Sequence, residues 1–141
     1  MPTLFTRIIN GEIPGRFVWR DDRCVAFLSI HPLKPGHTLV ITRKELDHWI
    51  DLDADLARHV MGVAQAIGKA LWQGFKPAKV GLIIAGLEIP HCHVHVVPIE
   101  GVHDLDFANQ ELNPDPAALD RAAETVRNAL RSLGFRQVAD G

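Results

Sequence analysis

Cysteine is scarce: Cys24 and Cys92 are the only two in 141 residues. Both fall in apolar, strand-like segments, so they are expected to be buried thiols of a reducing compartment rather than a disulfide. No run of 18 apolar residues occurs, which excludes a membrane-spanning helix. Strong charge of one sign is also missing. The formal net charge is −2 and there is no long block of like charges, so nothing argues electrostatically for nucleic acid or a membrane surface as partner. The amino-terminal Met1 to Arg7 lacks a basic region followed by a long apolar stretch. No signal peptide is expected there, and the cytoplasm is the default location. There is no C-x-x-C, no H-E-x-x-H, no internal repeat, no low-complexity segment and no linker. The chain is expected to be a single domain over residues 1–141, long enough to bury about two thirds of its unfolded surface.

What is present reads as α+β. Apolar content is 47 % and charged content 23 %, both ordinary for a globular chain. Thr3 can cap a short helix over residues 4–9, ended by Asn10-Gly11, with Leu4, Phe5 and Ile8 on its apolar side. Strands are expected over 16–20 and 24–30, joined by the polar turn Arg20-Asp21-Asp22-Arg23. Pro35-Gly36 suits the centre of a type II turn. In the strand 37–42 that follows, His37, Leu39 and Ile41 fall on one side and Thr38, Val40 and Thr42 on the other. Leu52, Leu56, Val60, Val63, Ile67 and Leu71 recur at three- and four-residue steps, predicting a long helix begun by Asp51 or Asp53 and stopped at Gly74. Residues 79–85 read as a strand that Gly86 turns into the next one. Residues 99–113 have no clean period and read as loop. Asp115-Pro116 opens a last helix with the stripe Leu119, Ala122, Val126, Leu130 and Leu133, stopped by Gly134. Consecutive strands joined by short turns imply an antiparallel sheet with helices packed on it.

Histidine is abundant, at 8 of 141 residues, and three of the eight fall in Pro90-His91-Cys92-His93-Val94-His95-Val96-Val97-Pro98. A strand has a side-chain period of two, so His91, His93 and His95 share one face, roughly 6.6 Å apart along the strand. Cys92, Val94 and Val96 point to the other face, into a core. Four uses of such a row stand open: a solvated face, a metal site, a binding surface without turnover, and nucleophilic catalysis at phosphorus. Three collinear ligands cannot converge on one ion without a bend, and no other ligand motif is present. An imidazole, in contrast, has a free nitrogen at neutral pH, and its neighbours can donate to phosphate oxygens and to a leaving group. The chemistry at phosphorus is the reading best matched to the pattern.

These residues resemble the histidine-triad (HIT) family. The resemblance is carried by His91 to Pro98, by Pro35-Gly36-His37-Thr38-Leu39-Val40-Ile41, by Ile8-Ile9-Asn10-Gly11-Glu12-Ile13-Pro14 and by Asp22-Arg23-Cys24-Val25-Ala26-Phe27. It covers residues 3–107, with a C-terminal loop and helix over 108–141. It implies a HIT-like fold: a five-stranded antiparallel sheet with a long central helix, a short N-terminal helix and a C-terminal helix, assembled as a homodimer. It also implies a hydrolase that acts at the α-phosphate of nucleotide conjugates, with an AMP-type purine nucleotide as partner and no cofactor. His93 would form a nucleotidyl-histidine, His95 would contact phosphate and leaving group, and His91 would orient the site with His37 nearby. Leu4, Phe5, Ile8, Phe27, Ser29 and Ile30 match positions that enclose base and ribose. The branch closest in these segments cleaves nucleoside phosphoramidates; the alternatives are a dinucleoside polyphosphate hydrolase and a nucleotide-binding regulator with little turnover. Three departures stand out: Ser29 replaces a common Asp or Asn, Glu88 replaces a Ser or Thr, and the Asn and Gln that usually precede the triad are missing. Relatives often carry zinc on N-terminal cysteines and a histidine. Thr3, Thr6 and Glu45 occupy those positions here, so no structural zinc is expected.

Overall fold

A computed structural model describes all of residues 1–141. The elements in chain order are α1 (Leu4–Ile9), β1 (Phe17–Arg20), β2 (Cys24–Leu28), β3 (Thr38–Thr42), α2 (Ala54–Phe75), β4 (Lys79–Ile83), β5 (His93–Ile99) and α3 (Pro116–Ser132). The strands form one sheet in the order β1-β2-β3-β5-β4, and every neighbouring pair is antiparallel. The architecture is the expected α+β layout of five strands and three helices.

Alternation along the strands sends side chains to two cores. On one face Val18, Ala26, Leu28, Val40, Val94 and Val96 pack against α2 and α3 in a cluster of 21 buried residues. Ile67, Leu71 and Leu130 are fully buried there, each contributing about 1.5–3 kcal/mol from its removal from water. On the other face Phe17, Val25, Phe27, Leu39 and Ile41 meet Phe5 and Ile8 of α1. The register shifts between Phe17 and Trp19. That bulge is why Val18 and Trp19, adjacent in sequence, both join the helix-side core.

Element ends differ from the sequence expectation in several places, each with a local cause. Thr3 caps α1 by accepting from Thr6 N–H at 3.1 Å, but Leu4 is 42 % exposed and only Phe5 and Ile8 face the core. Asp53 caps α2, accepting from Leu56 N–H at 2.8 Å. The helix runs past Gly74 to Phe75, and Lys76 closes it in the left-handed region (φ 51°). Pro77 follows and cannot continue a helix. Gly74 instead faces α3: a Cβ there would lie 2.8 Å from Thr125 Cγ2. Residues 102–105 and 107–109, expected as loop, form two 3₁₀ turns. The Asp104 carboxylate accepts from Glu100 and Gly101 N–H, and Asp106 from Ala108 N–H. α3 keeps Asp115 as its cap and Pro116 at its start, while Leu133 is exposed rather than part of the buried stripe. No helix is long and apolar enough to cross a membrane.

Candidate active site

β5 enters the sheet at His93, not at His91. His91 lies two residues before it, and Cys92 between them donates its N–H to the Leu46 carbonyl at 2.6 Å. The period of two nonetheless persists. Ile41 pairs with His93 and Leu39 with His95, so the histidines share the face that Leu39 and Ile41 turn toward α1, while Val94 and Val96 enter the helix-side core.

Hydrogen bonds assign the protons on each ring. His91 Nε2 lies 2.6 Å from the Thr42 carbonyl, which can only accept, so Nε2 carries the proton. Its Nδ1 then accepts from the Thr3 hydroxyl at 2.7 Å. His93 Nδ1 donates to the His91 carbonyl at 2.7 Å. The lone pair of neutral His93 is therefore on Nε2. A longer chain fixes His95. Leu33 N–H donates to His37 Nδ1 at 2.9 Å, leaving the His37 proton on Nε2. That proton points at His95 Nδ1, also 2.9 Å away. His95 Nδ1 accepts, and its own proton sits on Nε2. One backbone amide of the Pro32–Gly36 loop thus sets the tautomer of two imidazoles in series.

Burial disfavours the charged forms of His37, His93 and His95. His37 is 1 % exposed, and burial followed by the neighbouring His95 and His93 rings lowers it to about 3. Burial and the His93 ring lower His95 to about 4. His93 is also lowered, chiefly by burial, against a partial raising by its bond to the His91 carbonyl and by the Glu88 charge. At neutral pH the site holds a free imidazole nitrogen (His93 Nε2) beside an imidazole N–H donor (His95 Nε2).

Aromatic rings clamp the row at both ends. Phe5 meets His93 edge-on with ring centres 4.8 Å apart, and Phe107 meets His95 at 5.0 Å. A cavity of about 150 Å³ opens beside His93 and His95, walled by residues 85–89, Phe107 and Gln110. Phe107 and Gln110 escape sequence reasoning, because the aperiodic segment that carries them offers no signal beyond its own lack of pattern.

Of the residues matched to base and ribose, Phe5, Ile8 and Phe27 form one buried cluster behind His93. Leu4 and Ile30 are exposed, at 42 % and 59 %. Ser29 accepts from His31 N–H at 3.2 Å and lines a different cavity, of about 400 Å³, that lies between the 29–37 segment and the start of α3 and touches His37. The structure therefore brings His37, His91, His93, His95 and Phe5 together and leaves Ser29 outside the cavity that holds the triad.

The positions matched to zinc ligands do converge. Thr3 N–H and the Thr6 hydroxyl both donate to Glu45 Oε1 at 2.7 Å, and the Thr3 hydroxyl continues to His91. Two hydroxyls, one carboxylate and one imidazole, bonded to each other, are not a structural-zinc donor set, which calls for cysteine thiolates and histidine. A second cluster, Asp21, Cys24 and His59, also has close ligand atoms. The Asp21 carboxylate is already committed to the β1–β2 turn. It accepts from Trp19 Nε1, the Arg23 and Cys24 amides and His59. Cys24 and Cys92 are buried, free thiols; burial raises both, Cys24 to about 12, so neither is a nucleophile at neutral pH.

The comparisons with known proteins agree with this geometry. The HIT domain model matches residues 10–102. The chain is 30 % identical over 138 residues to the protein Hit of Bacillus subtilis, covering 94 % of this chain and 92 % of that one. Among solved structures, a hypothetical histidine triad nucleotide-binding protein from Sulfolobus tokodaii superposes with a TM-score of 0.81 at 26 % identity, over 92 % of both chains. A zinc-bound histidine triad family protein from Mycobacterium smegmatis superposes with a TM-score of 0.80 at 26 % identity, over 92 % of this chain and 94 % of that one. With its alternating histidines on one face of the sheet and the family's domain over most of its length, the chain belongs to the histidine-triad (HIT) family.

Proposed function

We propose that this protein hydrolyses nucleoside phosphoramidates through a nucleotidyl-histidine intermediate on His93. The observation that carries the proposal is the bond from His93 Nδ1 to the His91 carbonyl, which leaves Nε2 as a free nucleophile at neutral pH. Attack forms a P–Nε2 bond as the P–N bond of the substrate breaks. The leaving nitrogen takes up one proton from solvent, held in line by a hydrogen bond from His95 Nε2–H, and departs as a neutral amine. The positive charge that develops on the His93 ring is met by the His91 carbonyl. Water then attacks phosphorus as the P–Nε2 bond breaks, its proton passes to solvent, and the nucleoside monophosphate is released with neutral His93 restored.

The walls of the cavity support a phosphoramidate over a dinucleoside polyphosphate. No lysine or arginine lines it, so several phosphate charges at once would go uncompensated. A single phosphoryl anion is matched by the imidazole N–H of His95. For the nucleoside, the exposed apolar side chains of Leu4 and Ile30 support apolar contact with a purine, as the resemblance implies for those positions. Incubation with adenosine 5′-phosphoramidate should release AMP, with a mass increment of one AMP on the His93 peptide after rapid acid quench. His93→Ala should lower kcat/KM at least about 10³-fold. Equal product from the two proteins would overturn the assignment.

A further inference from the structure

The cavity beside His93 and His95 has one charged residue in its wall, Glu88. That carboxylate is exposed, and it takes part in no side-chain hydrogen bond or ion pair in the fold. Asp21, Asp53, Asp104 and Asp115 all cap turns or helices. Glu88 has no such task, so its charge is left for whatever enters the cavity. The other polar wall residue, Gln110, is partly committed: its amide donates to the His31 carbonyl at 3.2 Å. Phe107 closes the far side, edge-on to His95. The field of Glu88 reaches the reacting ring, since it raises the proton affinity of His93.

A lone carboxylate beside a phosphoryl anion opposes binding unless a cation comes with the substrate. The nucleotide's own phosphate cannot bring one. The leaving group can: it departs across His95 Nε2, and the cavity of about 150 Å³ has room for about five water-sized groups.

We propose that Glu88 makes this cavity a leaving-group subsite selective for amines that bear a second, cationic group, as in a diamine joined through one nitrogen to the α-phosphate of a nucleoside monophosphate. The inference rests on the phosphoramidate reading above and narrows its substrate class. An exposed carboxylate about 6 Å from a cation or an anion separates the two by about tenfold at low ionic strength, and salt contracts the difference.

The test uses three AMP conjugates of equal length, made with 1,3-diaminopropane, butylamine and β-alanine, carrying a cation, nothing and an anion. In the wild-type protein kcat/KM should fall in that order, spanning about tenfold at 50 mM salt and shrinking at 0.5 M. Glu88→Gln should compress the span to within about twofold, and Glu88→Lys should reverse the order. These are ratios among substrates, which a general loss of folding does not move. A span unchanged in Glu88→Gln overturns the proposal. Calorimetric binding of the methylene-bridged analogues, which cannot be cleaved, separates the two readings. If nothing is cleaved but the binding order holds and flattens in Glu88→Gln, the hydrolysis proposal fails and the subsite stands. If all three conjugates are cleaved at one rate, the hydrolysis stands and the subsite is overturned. If nothing is cleaved and no binding order exists, both are overturned.

Discussion

His37 connects the chemistry of the site to the stability of the fold. Its ring is enclosed, takes the Leu33 amide on one nitrogen and gives its proton to His95 on the other. Burial, and the His95 and His93 rings beside it, keep it neutral down to about 3, and burial with the His93 ring keeps His95 neutral down to about 4. In the unfolded chain both titrate near the ordinary histidine value of 6.5. Between those limits the unfolded state binds more protons than the folded one, so stability is fully present above pH 6.5 and is lost as pH falls toward 4. From pH 7 to pH 5 each ring accounts for about 2 kcal/mol. Urea unfolding at the two pH values should show that loss, and His37→Gln, which removes one titrating ring, should show a shallower pH slope. An equal slope in the variant would mean that the ring is hydrated and charges freely.

At the level of elements, α2 and α3 are legible as apolar stripes with named caps, and the strands as apolar runs between turn residues. Their ends and contacts are less so, because tertiary packing decides them. Gly74 is the clearest case. A glycine at the close of an apolar stripe reads as a helix stop, yet α2 continues through it and the glycine serves the approach of α3. A Cβ at 74 would meet Thr125 Cγ2 at 2.8 Å, and that methyl cannot swing away freely because Thr125 Oγ1 is bonded to the Arg121 carbonyl at 3.0 Å. In the wild-type background Gly74→Ala should therefore destabilise by about 1 kcal/mol, the clash exceeding the gain in helix propensity. In a Thr125→Ser background, which keeps the hydroxyl and removes the methyl, the same change should stabilise by about 1 kcal/mol. Denaturant midpoints of the four proteins check the reversal of sign. The active site divides in the same way. The triad is legible because a strand's period of two is printed in the sequence. Phe107 and Gln110 are not, because 3₁₀ turns held by Asp104 and Asp106 carry no period, and only folding brings them to His95.

At the scale of the whole molecule, the two edges of the sheet are treated differently. The β1 edge is covered by the C-terminal tail: Arg20 N–H donates to the Gln137 carbonyl and Ala139 N–H to the Val18 carbonyl, and Trp19 bridges to Val138. Nothing covers β4, the other edge, and its residues are exposed or half-buried. Large apolar groups cluster beside it: Leu82 on the strand, Ile84 just after it, and Met61 and Trp72 on the outer face of α2, all at least 38 % exposed. An open edge flanked by apolar side chains invites strand pairing. A twofold axis through β4 would join two copies edge to edge and stack the outer faces of their α2 helices, the self-complementary contact of a closed dimer. We therefore expect light scattering at micromolar concentration to give twice the 15.6 kDa chain mass. Leu82→Lys combined with Trp72→Glu, which places charge in the middle of that contact, should give a folded monomer with an unchanged far-ultraviolet spectrum. A wild-type protein that runs at the chain mass would show that the β4 edge is left open to solvent and that the apolar patch on α2 has another use.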